Sequence, residues 1–188
     1  MRDPILGAAM ITAEQLIPYR TTSIDYTETD RLKEVYTRLR SERCPFYLTA
    51  AEFDAILSWK LHGQYGRQAG IRPANIEDVI RIVTGAALSV SHPDEDDEVE
   101  LWLGILGSLR GVGVPVASAI LALVFPETYA VIDFRGWRQI FGEAKRTFSV
   151  ADYKRYLRAV KRLAAELGWL VQEVDLAIWE YDRSRGER

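Results

Sequence analysis

The chain has one cysteine, Cys44, in 188 residues. No disulfide can form within it, and a lone thiol points to a reducing compartment, so the expected location is the cytoplasm, at the nucleoid if the source is prokaryotic. Histidine is nearly as scarce, with two; His62 by itself supports no catalytic role and is expected at the surface. Long apolar runs are missing. No stretch approaches the roughly 20 residues that a membrane span needs, so no membrane partner is expected, and residues 1–12 are too weakly apolar to read as a signal peptide. Repeats, low-complexity tracts and long linkers are absent, and strand signals are few. An excess of positive charge is lacking too: the net charge is −3, which argues against broad, unselective binding of nucleic acid.

What is present is ordinary for a globular domain, 48% hydrophobic and 27% charged residues. The length suits one domain or one compact pair of lobes. Charge is unevenly placed. Between Arg135 and Arg162 stand nine Lys/Arg against Glu143 and Asp152, which makes that segment +7 and the rest of the chain −10. Such a division fits one face turned to a polyanion; a solvated helix surface is the equal alternative for the positions after Ser149.

Periodicity is helical nearly throughout. Ala13–Ile17 reads as a short helix before Pro18. Thr27–Arg43 reads as a helix with Leu32, Val35, Tyr36 and Leu39 on one stripe, ended at Cys44-Pro45. Thr49 and Glu52 form a capping box for the next helix, whose buried face is Phe53, Ile56, Leu57 and Leu61. Lys60 falls on that stripe, so its ammonium either snorkels to water or faces a pocket. The glycine-broken segment 61–73 reads as a polar loop. Asn75 is expected to cap a helix to about Ser91 with Ile76, Val79, Ile80, Val83 and Ala87 inward. Six acids between Ser91 and Glu100 are expected to favour a helix start rather than a metal; no metal site is expected. Downstream the pattern predicts helices over Phe134–Phe141, from Ser149 to Leu167 with Gly168 as stop, and over Val171–Arg183, the last with Val174, Leu176, Ala177, Ile178 and Tyr181 as packing surface. The fold class expected is all-α, about eight helices in two lobes.

The most informative stretch is residues 109–138. Leu109 to Gly113 reads as a hairpin between helices, with Gly111 and Gly113 able to take φ > 0 or to admit a foreign backbone. Pro115 sits in the first turn of a helix over Val114–Phe125, where its missing N–H costs nothing. The free amides and positive dipole end of that helix suit a phosphate. Pro126 ends it, and the apolar run Tyr129–Ile132 leads to Asp133.

Leu109, Gly111, Val112, Gly113 and Ala117, followed by Asp133 and Arg138, resemble the helix-hairpin-helix DNA glycosylases with a Gly/Pro-rich loop and Asp. The resemblance covers about thirty residues closely and implies a single glycosylase-like domain across residues 1–188, with a cleft lined by the hairpin and Asp133. It implies DNA as partner, held by the hairpin Arg110, Gly111, Val112, Gly113 and Val114 and by Lys60, Arg135 and Arg138; Arg138 could instead form a structural ion pair. No obligatory protein partner is inferable. No cofactor is implied beyond a monovalent cation at the hairpin carbonyls, since one cysteine excludes a four-cysteine iron–sulfur cluster.

Base excision needs an extruded base, a pocket and a stabilised, cation-like sugar. Asp133 is the implied catalytic carboxylate, with an N-cap for the following helix as its compatible structural role. Pro115 stands where some relatives carry a nucleophilic lysine, which implies a water-using, monofunctional enzyme; an amine from Lys60 is a remote alternative. Ser58-Trp59-Lys60 aligns with the turn from which such enzymes fill the gap left by the base. Trp59, Tyr65, Phe134 and Trp137 are the candidates for stacking on the base, against core packing; Trp102, Trp169 and Trp179 are assigned to the core. Two other readings stand beside the enzyme: a non-catalytic protein that binds DNA structure through the hairpin, and a helical protein-interaction domain.

Overall fold

A computed structural model describes residues 11–20, 26–61, 66 and 75–186. Among these residues there are nine α-helices, a 3-10 turn at Ile17–Tyr19 and no strand. In chain order the helices are α1 (Ala13–Leu16), α2 (Thr27–Glu42), α3 (Ala50–Leu61), α4 (Glu77–Ser89), α5 (Glu95–Leu106), α6 (Val114–Val124), α7 (Phe134–Phe141), α8 (Val150–Leu167) and α9 (Val171–Ser184). The all-α class is therefore the observed one.

Helix α6 is the axis of the molecule. Every residue from Val116 to Val124 is buried, which follows from its being apolar on all sides. It is packed by α2, α3, α5 and α8, and one hydrophobic cluster runs from Ile11 to Ile178 around it. Local signals set several helix ends. The Thr49 hydroxyl accepts from the Glu52 amide while the Glu52 carboxylate accepts from the Thr49 amide. Ser149 and Asp152 do the same for α8, which stops at Gly168 in the left-handed region, φ 67°.

Helix α4 departs from expectation. Its N-cap is Ile76, with no side-chain cap bond; Asn75 is not the cap. Ile76 and Val79 are exposed, and the inward residues are Ile80, Thr84 and Ala87. The reason is that α4 carries apolar residues on two faces, and the small Ala87 and the hydroxyl of Thr84, which donates to Ile80 O, let it lie close against α3 and α5.

The acidic run and the basic run meet. Across the α5–α8 contact, Glu95 pairs with Lys161, Asp96 with Arg158 at 2.6 Å and Glu100 with Lys154. Much of the positive face of α8 is thus answered within the fold. The remaining acids do what the dipole favours, Asp94 capping α5 by accepting from the Asp97 amide at 3.1 Å.

Helix α9 is tied to α7 by Asp182, whose side chain is fully buried. It accepts from Arg135 at 2.9 Å, from Arg138 at 2.6 Å and from Gln139 at 2.7 Å. Burial pushes its carboxyl up, but the donors outweigh this and hold it below the usual carboxylate range. The charge therefore stabilises the fold above the ordinary aspartate pKa and is lost as pH falls through the lowered one. Asp182→Asn removes the buried counter-charge that the two guanidiniums share and should cost about 3 kcal/mol, the lower end for a broken buried pair because both arginines are partly exposed. A urea unfolding midpoint at pH 7 reads this, and an unchanged midpoint would reject the assignment.

Candidate active site and hairpin

The hairpin between α5 and α6 is built around one left-handed residue, Gly111, at φ 84°. Gly113 has φ −93° and caps α6 in extended geometry, so its lack of a side chain matters for access, not for backbone conformation. A Cβ there would meet only Pro115 Cδ, at 3.8 Å. Val112 is 6% exposed and its amide donates to Leu109 O; it anchors the hairpin instead of presenting a contact. Arg110 is similarly committed through its backbone, its amide donating to Asn75 Oδ1 at 2.9 Å while Asn75 Nδ2 donates to Arg110 O at 2.7 Å. That long-range clamp is what Asn75 does in place of a cap. The amides of Gly111, Gly113 and Val114 have no partner among the described residues, and both glycines are exposed.

Ser118, one turn into α6, links the hairpin helix to the loop before α7. Its hydroxyl donates to Pro115 O at 2.9 Å and accepts from the Ile132 amide at 3.1 Å. Asp133 follows directly. At ~1.5 Å rise per residue, Ser118 lies about 8 Å along the helix axis from Gly113, so the loop carrying Asp133 packs beside the N-terminal half of α6.

Asp133 caps α7. Its Oδ1 accepts from the Arg135 amide at 2.9 Å and the Gly136 amide at 2.8 Å. Its Oδ2 has no partner among the described residues, and the residue borders a cavity of about 300 Å³. Arg135 and Arg138 do not lock this carboxylate, since both reach Asp182. Both arginines hold α7 to α9 through Asp182, the structural ion pair that the sequence offered as the alternative for Arg138.

The cavity lies between the start of α2, the end of α3, the start of α7 and α9. Trp59 and Lys60 come from α3, Tyr26, Glu28 and Thr29 from the α2 end, and Trp179 and Arg183 from α9. Trp59 is fixed by its Nε1, which donates to Thr29 Oγ1 at 2.9 Å. Lys60 turns to this cavity and makes no ion pair among the described residues. None of residues 109–113 lines it, so the expected cleft lined by both the hairpin and Asp133 is not this cavity. The stacking candidates divide. Trp59 lines the cavity; Trp137 is 1% exposed and packs on Phe141 and Phe148; Phe134 is exposed, next to Arg135 and Arg146; Tyr65 and His62 lie outside the described residues. Trp179, assigned to the core from sequence, is a cavity wall instead, on the same edge of α9 as Leu176 and Arg183.

Asp175, on α9, was not among the sequence candidates. It is 8% exposed and lines the same cavity. Its Oδ2 accepts from the Val131 amide at 3.0 Å and its Oδ1 from Tyr156 Oη at 2.7 Å. Burial pushes its carboxyl up to about 7; the charge of Asp133 adds to this, and the two donors and Lys60 act the other way. A signal was available: Asp175 and Asp182 both fall on the apolar stripe Val171, Val174, Ile178, where an acid needs a reason.

Gly136 makes room for this arrangement. A Cβ on it would stand 2.2 Å from Tyr156 Oη. Gly136→Ala should push the phenol off Asp175 and cost about 2 kcal/mol, the usual range for overpacking, seen as a melting temperature lower by about 6 °C. A variant as stable as the parent would show that the contact is loose.

Among the described residues no group of three His, Cys, Asp or Glu side chains could hold a metal ion, and no helix is long and apolar enough to cross a membrane. Comparison of the chain with protein-family models, with curated proteins and with solved structures returns no match.

Proposed function

We propose that the protein is a monofunctional DNA N-glycosylase, in which Asp133 stabilises the cation-like deoxyribose and directs a water to it. The observation that carries this reading is the placement of one carboxylate: Oδ1 is consumed by the α7 cap, which keeps the group oriented, Oδ2 has no partner among the described residues, and the residue lines an aromatic cavity. A fixed anion at a partly water-excluded site is how an enzyme stabilises developing positive charge. The cavity, at about 300 Å³, is at the small end of ligand pockets and has room for one base between Trp59 and Trp179. The free amides of Gly111, Gly113 and Val114 at the α6 end supply a phosphate grip that does not depend on net charge.

A second reading, DNA-structure binding without chemistry, is favoured by one observation: the hairpin lies outside the cavity lining. Duplexes carrying alkylated, deaminated and oxidised bases separate the two. Release of a free base by the wild type supports the enzyme; retention of such duplexes with no release supports the binder and ends the glycosylase reading.

A further inference from the structure

Asp175 is hard to explain as a structural residue. A carboxyl on an apolar helix stripe carries a desolvation cost that a leucine would avoid, and here it also borders the cavity beside a second carboxylate. Its two donors are well defined. Val131 N holds Oδ2 and Tyr156 Oη holds Oδ1, so the carboxyl plane is fixed. Tyr156 is fully buried, and burial, with the charges of Asp175 and Asp133, pushes its phenol well above its ordinary range. It therefore always carries its proton and always donates. Tyr156 donates to Oδ1 and Val131 N to Oδ2, so a proton resident on Asp175 is held at the wall of the cavity that the residue lines.

We infer that Asp175 is the acid that protonates the departing base in the cavity whose other carboxylate, Asp133, serves the sugar. This rests on the reading of the protein as a glycosylase. The step balances with water as the only co-reactant. The C1′–N bond breaks and its electron pair goes to the base nitrogen. The proton of Asp175 goes to the base, at that nitrogen or at a conjugated one. Water adds to C1′, its second proton passes to Asp133, and the proton then returns to Asp175 through solvent in the open cavity. The products are the free base and the 1′-hydroxyl sugar.

The two carboxyls are set apart by their surroundings, which is how a pair divides acid and base work. Asp133 is half-buried and accepts two backbone amides. Asp175 is buried and holds its proton up to about pH 7. The other ionisable groups facing Asp175 are Lys60 from α3 and Tyr153 and Tyr156 from α8. Tyr26 and Glu28 at the α2 end and Arg183 on α9 complete the cavity rim.

The test is single-turnover base release from the lesion duplexes, from pH 5 to 9, by wild type, Asp175→Asn and Tyr156→Phe. For the wild type the rate should fall about tenfold per pH unit above about 7. Asp175→Asn should be about 100-fold slower at pH 6 and lack that limb. Tyr156→Phe removes a donor to the ionised carboxylate, so the limb should move to higher pH, a change that a packing role alone does not produce. If Asp175→Asn does not fold, the displaced limb of Tyr156→Phe decides. Active wild type with an unaltered profile in both variants overturns the acid assignment and leaves the proposed function standing. Wild type that releases no base from any duplex overturns both.

Discussion

Asp133→Asn is expected to lower single-turnover base release about 10³-fold while the protein stays folded and binds the same duplexes with unchanged affinity. The magnitude is that of a positioned charge and base acting together. The variant is informative because the cap survives it. Asn ranks with Asp at helix N-termini, so its side-chain oxygen continues to accept from the Arg135 and Gly136 amides now held by Oδ1. What disappears is the charge facing the cavity. Asp133→Ala separates the two roles further: it loses the cap as well, worth about 1 kcal/mol, and should melt lower than the Asn variant while being no less inactive. Base release by Asp133→Asn within tenfold of wild type would remove Asp133 from the chemistry and leave it as a cap alone. DNA affinity lost together with activity would place the carboxylate on the binding surface instead.

The sequence-based expectations held where the physics is local. The boxes at Thr49/Glu52 and Ser149/Asp152 and the stop at Gly168 are short-range hydrogen bonds between backbone and neighbouring side chains, so their residue types announce them. The α6 run is apolar at every turn and could only be central. Long-range partners were not visible in the same way. Asn75 looks like a cap by type and position, but its amide side chain closes on Arg110, 35 residues away. The basic stretch of α8 looked available to a polyanion until the fold laid it against the acids at the start of α5. Arg135 and Arg138 likewise found their counter-charge in Asp182, more than forty residues downstream. At the candidate site, Asp133, Trp59 and Lys60 could be named from the chain because motif spacing or helix phase singled them out. Trp179 and Asp175 could not be ranked, since whether α9 shows a given edge to the core or to a cavity depends on how α7 and α8 pack against it.

The same buried carboxyl that serves the acid role should leave a mark on folding itself. Asp175 has an ordinary value of 3.8 in the unfolded chain and about 7 in the native cavity. Between those limits the native state holds a proton that the unfolded state has released, so stability falls as pH rises. Below about pH 4 the group costs nothing, and above about pH 7 the full penalty is present. The gap corresponds to about 4 kcal/mol. Asp182 runs in the opposite direction, gaining its stabilising charge as pH rises, but that gain is complete just above the ordinary aspartate value, below the pH 5 to 8 range in which Asp175 is followed. Urea unfolding of the wild type should therefore show a midpoint that declines from pH 5 to pH 8, and Asp175→Asn should flatten the decline. At pH 8 the Asn variant should be the more stable protein, by about 2 kcal/mol. That is less than the whole penalty because its amide nitrogen cannot accept from both Tyr156 and Val131, and one buried donor goes unpaired. A substitution that strengthens the fold at alkaline pH while weakening base release is the pattern of a residue kept for function against the interest of stability. A wild-type midpoint that is level over this range would mean that Asp175 is ionised and well solvated in the native protein, and a decline just as steep in the Asn variant would assign the pH dependence to another group. The acid role would then lose its physical basis.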